Sequence, residues 1–382
     1  MIVAGVLSGT SLDGIDVAIV DIRPAGARYR IEMLRFATRP FAPDVRSRLL
    51  RAFPPAPLDA LTLSALHAEI GEAFGAAVAE VGAGIALDLV ASHGITLAHD
   101  GAARRTLQIG DAARIRERTN VTVAYDFRAA DCAAGGEGAP LVPYLDAMLF
   151  GSESETRVAL NLGGIANLTV LPKGADPAEV IAFDSGPANL PMDTYVAMRA
   201  IGSLPYDDGG AFARRGRPNR NLLDVLLSDP YFAAAPPKTT GRERYGEAFV
   251  QRYRAQLDAL LPEDALATLT ALTVETVAGA IQTHAAQAAT VIAGGGGVHN
   301  AAIMNGLRAA LPSMTLRPAN DFGIDVDAKE AILFAVLGVE LLRGRPANMP
   351  KVTGARGPRV LGSLAPHNLE TLLAAVRSEE KS

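Results

Sequence analysis

Residues 2–7 form a short apolar run, 8–14 a small and polar break, and 15–20 a second apolar run, which predicts strand, turn and strand. A further strand is expected at 28–36. From 59 to 81 the apolar positions Leu63, Leu66, Ile70, Phe74 and Val78 recur at helical spacing and predict one amphipathic helix. Strands are expected at 87–92, ending in the polar turn Ser92-His93-Gly94, at 106–109 and, after a helix, at 121–124. The glycine-rich stretch 134–140 interrupts this rhythm, and the main domain boundary is placed there. The second half opens as the first does, with strand, small polar turn and strand over 158–170, although the two hairpins share little sequence. A strand at 180–183 delivers Asp184, and 189–289 is mostly helical with an arginine-rich polar segment at 236–245. A strand at 290–293 ends in Gly294-Gly295-Gly296-Gly297, followed by helices from 301 and over 327–342. Proline and glycine punctuate 346–366 before a last amphipathic helix at 369–376. Strands alternating with helices predict an α/β protein of two domains, 1–133 (with 346–382 packing back on it) and 134–345.

Composition narrows the class. A chain of 382 residues, 49% of them hydrophobic, is too long for one ordinary core and has ample apolar surface to bury. A net charge of −5 provides no footprint for nucleic acid or an anionic membrane. One cysteine, Cys132, excludes an internal disulfide and a cysteine-based zinc site. The first residues run directly into a strand without a basic leader, and no apolar run reaches the roughly 18–20 residues of a bilayer span. A soluble protein of a reducing compartment is expected.

The first turn carries the strongest chemical signal. Glycines at Gly9 and Gly14 let backbone N–H groups approach an anion, and Thr10 and Ser11 add hydroxyl donors. No lysine follows and the chain continues as a strand, so this is not a P-loop. Asp13 and Asp16 are carboxylates that could hold Mg²⁺, directly or through water. The four glycines at 294–297, between strand and helix, offer backbone on which a flat base or ribose can lie, and the helix start favours anions. Asp184, expected at a strand's carboxyl end before a helix, is placed for general-base work, although Asp184 or Ser185 could instead cap that helix. His93 and Thr96 lie beyond a buried strand, where polar groups can meet sugar hydroxyls. Glu330 with Asp327 fits a capping box, a purely structural role.

Six ordered segments together resemble one family. They are Ser8-Gly9-Thr10-Ser11-Leu12-Asp13-Gly14-Ile15-Asp16, Gly135-Gly136-Glu137-Gly138-Ala139-Pro140-Leu141, Asn161-Leu162-Gly163-Gly164-Ile165-Ala166-Asn167, Phe183-Asp184-Ser185-Gly186-Pro187, Lys329-Glu330-Ala331 and Val352-Thr353-Gly354-Ala355. The chain is similar to the anhydro-N-acetylmuramic acid kinases, members of the actin, hexokinase and Hsp70 superfamily. The resemblance implies two RNase H-like domains flanking an ATP cleft. It also implies a cytoplasmic, dimeric enzyme of cell-wall recycling that uses ATP and Mg²⁺. Asp184 would activate water toward the anomeric carbon, and the freed O6 would take the γ-phosphoryl group. Gly9, Thr10, Ser11, Leu12, Asp13, Gly14, Ile15 and Asp16 would face the phosphates. Asn161, Gly163 and Gly164 form the facing hairpin, and Gly295 and Gly296 the adenosine platform. His93, Thr96 and Glu330 would face the sugar. The chain departs from the family pattern at Ile95 (usually glutamine), Glu137 (usually glutamine) and Asp146 (commonly histidine). Loss of an amide at Ile95 and an added charge at Glu137 keep a related anhydrosugar such as levoglucosan as the alternative substrate. A chaperone or filament ATPase is the reading of a different class.

Overall fold

The computed structural model describes residues 1–26, 28–54, 57–174, 179–323, 325 and 327–379. Six strands come first: β1 (Ile2–Ser8), β2 (Ile15–Ala25), β3 (Arg28–Arg39), β4 (Leu89–Asp100), β5 (Arg105–Ile109) and β6 (Val123–Tyr125). Five follow: β7 (Arg157–Leu162), β8 (Ile165–Leu171), β9 (Ile181–Pro187), β10 (Thr290–Gly294) and β11 (Thr315–Pro318). The tail adds β12 (Ser363–Ala365). The chain divides into two compact units, Met1–Leu149 with Asp327–Ser382, and Phe150–Val326.

In the first unit β1, β2 and β3 form an antiparallel meander, β4 joins β1 in parallel, and β6 joins β4 in parallel. The order is β12-β6-β4-β1-β2-β3, with β5 paired to β4. In the second unit β7, β8 and β9 form the meander, and β10 and β11 follow in parallel, giving β11-β10-β7-β8-β9. Both units therefore carry the same RNase H-like arrangement of three antiparallel and two parallel strands. Two such α/β units agree with the expected fold class.

The first sheet is covered on both faces, which explains why β1 and the start of β4 read as unbroken apolar runs. Ala4, Val6 and Val90 join Leu66, Ile70, Phe74 and Val78 of helix Ala60–Val81 in one core cluster. The alternate residues meet helix Lys329–Leu342. A Cβ at Gly5 would lie 1.8 Å from the Ala331 carbonyl oxygen, and one at Gly338 would lie 2.9 Å from Ala91 Cβ. An ion pair between the half-buried Lys329 and the buried Asp146 (2.5 Å) ties that helix to helix Val142–Phe150. These contacts hold helix Lys329–Leu342 and all but the last residue of helix Val142–Phe150 in the first unit, whose edges fall at 149/150 and 326/327, not at 133/134 and 345/346.

Other elements differ from the sequence pattern for local reasons. β4 does not stop at Ser92 but continues to Asp100, with the register broken at His93 and Gly94 in the left-handed region (φ 76°). β11 and β12 occupy stretches too short and too polar to announce strands. Helix Pro262–His284 is long and apolar enough by composition to span a bilayer, yet most of its apolar stretch is buried as the core helix of the second unit. Gly5→Ala should lower stability by about 3 kcal/mol, the upper range for overpacking, because the new methyl meets a helix carbonyl that cannot rotate away. Denaturant unfolding of the variant measures this directly.

Candidate active site

Each unit presents one group of the residues expected to carry chemistry. In the first, the β1–β2 connection is anchored from within. Leu12 has φ 54°, an outlier for a bulky residue, and its side chain is fully buried. Its N–H donates to Gly9 O (3.0 Å) and its carbonyl accepts from Arg46 Nε (2.9 Å). Ile15 is also core, and a Cβ at Gly14 would meet Thr38 Cγ2 at 2.3 Å, so Gly14 serves the approach of β3. Gly9, Thr10, Ser11 and Asp13 stay exposed at the tip. Leu12, Gly14 and Ile15 can therefore reach a ligand only through backbone.

Asp16 accepts from Thr38 Oγ1 at 2.6 Å. Burial raises its pKa, the Thr38 hydroxyl opposes the rise, and the charges of Asp327 and Asp13 add to it. Glu330 is likewise raised, chiefly by desolvation, with Arg128 opposing and Asp16 adding. Water still reaches Glu330, so its carboxylate sits crowded by protein yet open at one side. The capping box is not formed: helix Lys329–Leu342 begins after Ala328 with no side-chain cap, leaving Glu330 without that structural duty.

Sequence reasoning missed Arg128. Its Nε donates to His93 Nε2 (2.9 Å) and its Nη1 to Gly138 O (2.8 Å). With Nε2 accepting, the His93 proton sits on Nδ1 and points to Gly94 O (3.2 Å). Burial, then the Arg128 charge, hold the His93 pKa well below its usual value, so this is a neutral ring stacked on Phe334 at 4.3 Å. His93 is thus a buried support rather than an open sugar contact. Thr96 is half-buried and accepts from Gln108 Nε2 (3.1 Å). Nothing in the pattern marks Arg128 beyond a polar residue shortly after a strand.

In the second unit Asp184 stands mid-strand in β9, opposite Asn167, not at a strand end. Neither it nor Ser185 caps the next helix: Ser185 donates to Ala166 O, and helix Asn189–Arg199 starts after Ala188. A returning segment grips Asp184 instead. Its N–H donates to Lys238 O (3.1 Å), its carbonyl accepts from the Tyr231 hydroxyl (2.9 Å), and Oδ2 accepts from the Thr240 N–H (2.9 Å). Desolvation raises its pKa to about 6, with the Thr240 bond opposing and the Glu243 charge adding.

The β7–β8 turn has a mechanical role. Gly164 O accepts from the N–H groups of Ala188 and Leu190, and Gly163 O from that of Asn189, so the turn's carbonyls cap helix Asn189–Arg199. Gly295 has φ 79°, and a Cβ there would lie 2.7 Å from Asn161 Oδ1, so Asn161 and the glycine loop are packed together. At Gly296 there is open space, and beside it lies a cavity of about 490 Å³. Asp193, Tyr206, Asp207, His299 and Asn300 help line it. Burial, then the Asp207 charge, raise Asp193 to about 6.

The model of the anhydro-N-acetylmuramic acid kinase family matches residues 1–367. The chain belongs to this family. It is 42% identical over 375 residues to the anhydro-N-acetylmuramic acid kinase of Synechococcus elongatus, covering 95% of this chain and 99% of that one. The enzyme of the same name from Xanthomonas campestris pv. campestris is 42% identical over 370 residues, covering 95% and 96%. Among solved structures, the ROK hexokinase of Thermus thermophilus aligns at TM-score 0.40 and 14% identity over 89% of this chain and 99% of that one. Two departures from the anhydro-N-acetylmuramic acid kinase pattern find their neighbours within the first unit. Ile95 is fully buried in the core cluster, and Glu137 is matched by Arg104 at 3.3 Å. The third, Asp146, is the buried partner of Lys329.

Because folded Asp184 holds its proton to about pH 6 while an ordinary aspartate releases it near 3.8, the native state binds the extra proton between those values, and stability falls as pH rises through that window. Asp184→Asn should therefore melt at a higher temperature than the native chain at about pH 8. The gap should narrow toward about pH 5, as thermal melts at the two values would show.

Proposed function

We propose that this chain opens the 1,6-anhydro ring of anhydro-N-acetylmuramic acid with water and transfers the γ-phosphoryl group of ATP to O6, yielding N-acetylmuramic acid 6-phosphate and ADP. The observation that carries the reading is the hold on Asp184. One carboxylate oxygen is occupied by the Thr240 N–H, so the group is oriented, and desolvation leaves it basic enough to take a proton near neutral pH. Asp184 accepts a proton from water as the water oxygen bonds to the anomeric carbon. The bond from that carbon to O6 breaks, and O6 bonds to the γ-phosphorus as the bond to the ADP oxygen breaks. Glu330, Arg128 and Thr96 face the sugar, with His93 fixing Arg128.

Each unit carries a group of residues proposed to meet ATP. The exposed Gly9, Thr10, Ser11 and Asp13 meet phosphate, with Leu12, Gly14, Ile15 and Asp16 completing the turn through backbone or carboxylate. The cavity beside Gly295 and Gly296 takes the adenosine, with Asp193 accepting from a ribose hydroxyl and the half-exposed Tyr206 offering a face to the base. Asn161, Gly163 and Gly164 set the shape of that loop.

The residues also fit Mg²⁺. Asp16 is raised partly by Asp327 and Asp13, a concentration of negative charge that a hard cation relieves. Among the described residues no group of three or more such side chains closes around one point, which suits an ion that usually takes one or two carboxylates and fills its shell with water and phosphate. Asp13 and Asp16 would hold it, and it would supply neutralisation of phosphate charge.

Asp184→Asn should lower kcat by about 10²–10⁴-fold while nucleotide binding persists, and wild-type kcat/KM should rise with pH around an inflection near 6. A coupled assay for ADP with anhydro-N-acetylmuramic acid and with levoglucosan tests the reaction. ATP hydrolysis unstimulated by any anhydrosugar would leave the chaperone or filament class standing instead.

A further inference from the structure

Two of the six ordered segments, 135–141 and 352–355, have no role in the proposed reaction, yet the first unit ties them together on one carboxylate. Asp131, in the short helix Ala129–Ala133, is wholly buried. Its Oδ1 accepts from Asn348 Nδ2 (2.7 Å) and Thr353 Oγ1 (2.8 Å), and its Oδ2 from the Gly138 N–H (2.8 Å). All three donors are uncharged. Burying a carboxylate on such partners is costly, so the group is not a casual filler of the core.

The loop closes around it. A Cβ at Gly136 would lie 2.1 Å from Asp131 Oδ2, and one at Gly138 (φ 73°) would lie 2.6 Å from Cys132 Sγ. The tail holds the same loop from its other side. Thr353, at the end of helix Pro350–Thr353, accepts at its carbonyl from the Glu137 N–H (2.8 Å), and the Arg356 N–H donates to Ala134 O (2.9 Å). Asn348 is fixed in turn, its Oδ1 accepting from the Arg359 N–H (2.6 Å).

Gly138 is where this network meets Arg128. Its N–H is given to Asp131, and its carbonyl accepts from Arg128 Nη1 (2.8 Å). Arg128 Nε is spent on His93. A guanidinium is planar, so two held N–H groups set the direction of the third corner. That corner, Nη2, has no partner among the described residues, and Arg128 is half-buried. The side chain is therefore aimed by protein and keeps one donor group for a ligand.

We propose that Asp131 is a positioning residue: by joining the 135–138 loop to the tail it holds the Gly138 carbonyl in place, and that carbonyl with His93 turns Arg128 Nη2 toward the sugar. The inference rests on the proposed kinase reaction, in which Arg128 faces the sugar. It gives the tail segment 348–353 a part in substrate affinity, although none of its residues touches substrate.

The test measures KM for anhydro-N-acetylmuramic acid, KM for ATP and kcat in Thr353→Val, Thr353→Ser and Asp131→Asn. Thr353→Val keeps the shape and removes one hydrogen bond to Asp131. It should raise the sugar KM about fivefold or more, with the ATP KM and kcat within about twofold of wild type. Thr353→Ser, which keeps the hydroxyl, should restore the sugar KM to within about twofold, and Asp131→Asn should exceed the valine variant. Where Asp131→Asn fails to fold, the two Thr353 variants decide. A lower thermal midpoint with an unchanged sugar KM, or an equal rise in both KM values, would show a structural role only and overturn the proposal. A wild type that phosphorylates no anhydrosugar would defeat the kinase reading instead. The His93 Nε2 nitrogen resonance then decides the placement of Arg128: a shift in Thr353→Val, as the Arg128 N–H is lost, upholds it, and an unmoved signal removes it.

Discussion

The approach of helix Lys329–Leu342 to β1 places more of the first unit than any other contact. With a glycine at position 5 the Ala331 carbonyl comes within a distance no side chain allows, and Gly338 gives the same closeness over β4. That seating brings Phe334 against the His93 ring, and the ring in turn holds Arg128. It also sets Glu330 at the carboxyl edge of the sheet, near the charges of Asp16 and Arg128. The Lys329–Asp146 pair closes the same corner. Asp146 is buried and Lys329 half-buried, so loss of the lysine would strand a carboxylate, and the pair is a positioning device more than a source of stability.

The second unit solves a comparable problem with a different device. Asp184 lies inside a strand, where an ionised carboxylate is costly, and it is kept usable by a segment far along the chain. Lys238, Thr240 and Tyr231 supply one carbonyl, one N–H and one hydroxyl to the backbone and side chain of that single residue. The Lys238 ammonium is itself spent on the carbonyls of Tyr231 and Phe232, which stiffens the segment rather than neutralising Asp184. Desolvation without a cationic partner is what leaves the carboxylate basic.

Charge at the variant positions follows the same economy. Glu137 faces Arg104 and Asp146 faces Lys329, so both carboxylates are matched within the first unit. Ile95 contributes apolar volume between Ile109 and the helix Ala60–Val81 cluster.

Much of the architecture was legible in the chain because it follows from local rules. The hairpins over 2–20 and 158–170, the helical stripe from Leu63 to Val78 and the glycine loop after β10 are patterns of period and turn chemistry, which need no distant partner. Asp184, the Ser8–Asp16 turn and Gly294–Gly297 stand out for the same reason. What pattern could not supply was everything set by contacts between residues far apart. Asp184 or Ser185 looked able to cap the next helix, yet that helix start is held by the Gly163 and Gly164 carbonyls and Asp184 accepts from Thr240. Glu330 looked like a cap and is not one, since the helix begins one residue later than the capping box requires. Arg128 carries no motif, and its significance arises only where the fold brings it to His93 and Gly138. Local periodicity specifies strands and turns, whereas burial, unpaired polar atoms and shifted pKa values exist only once remote segments have excluded water together.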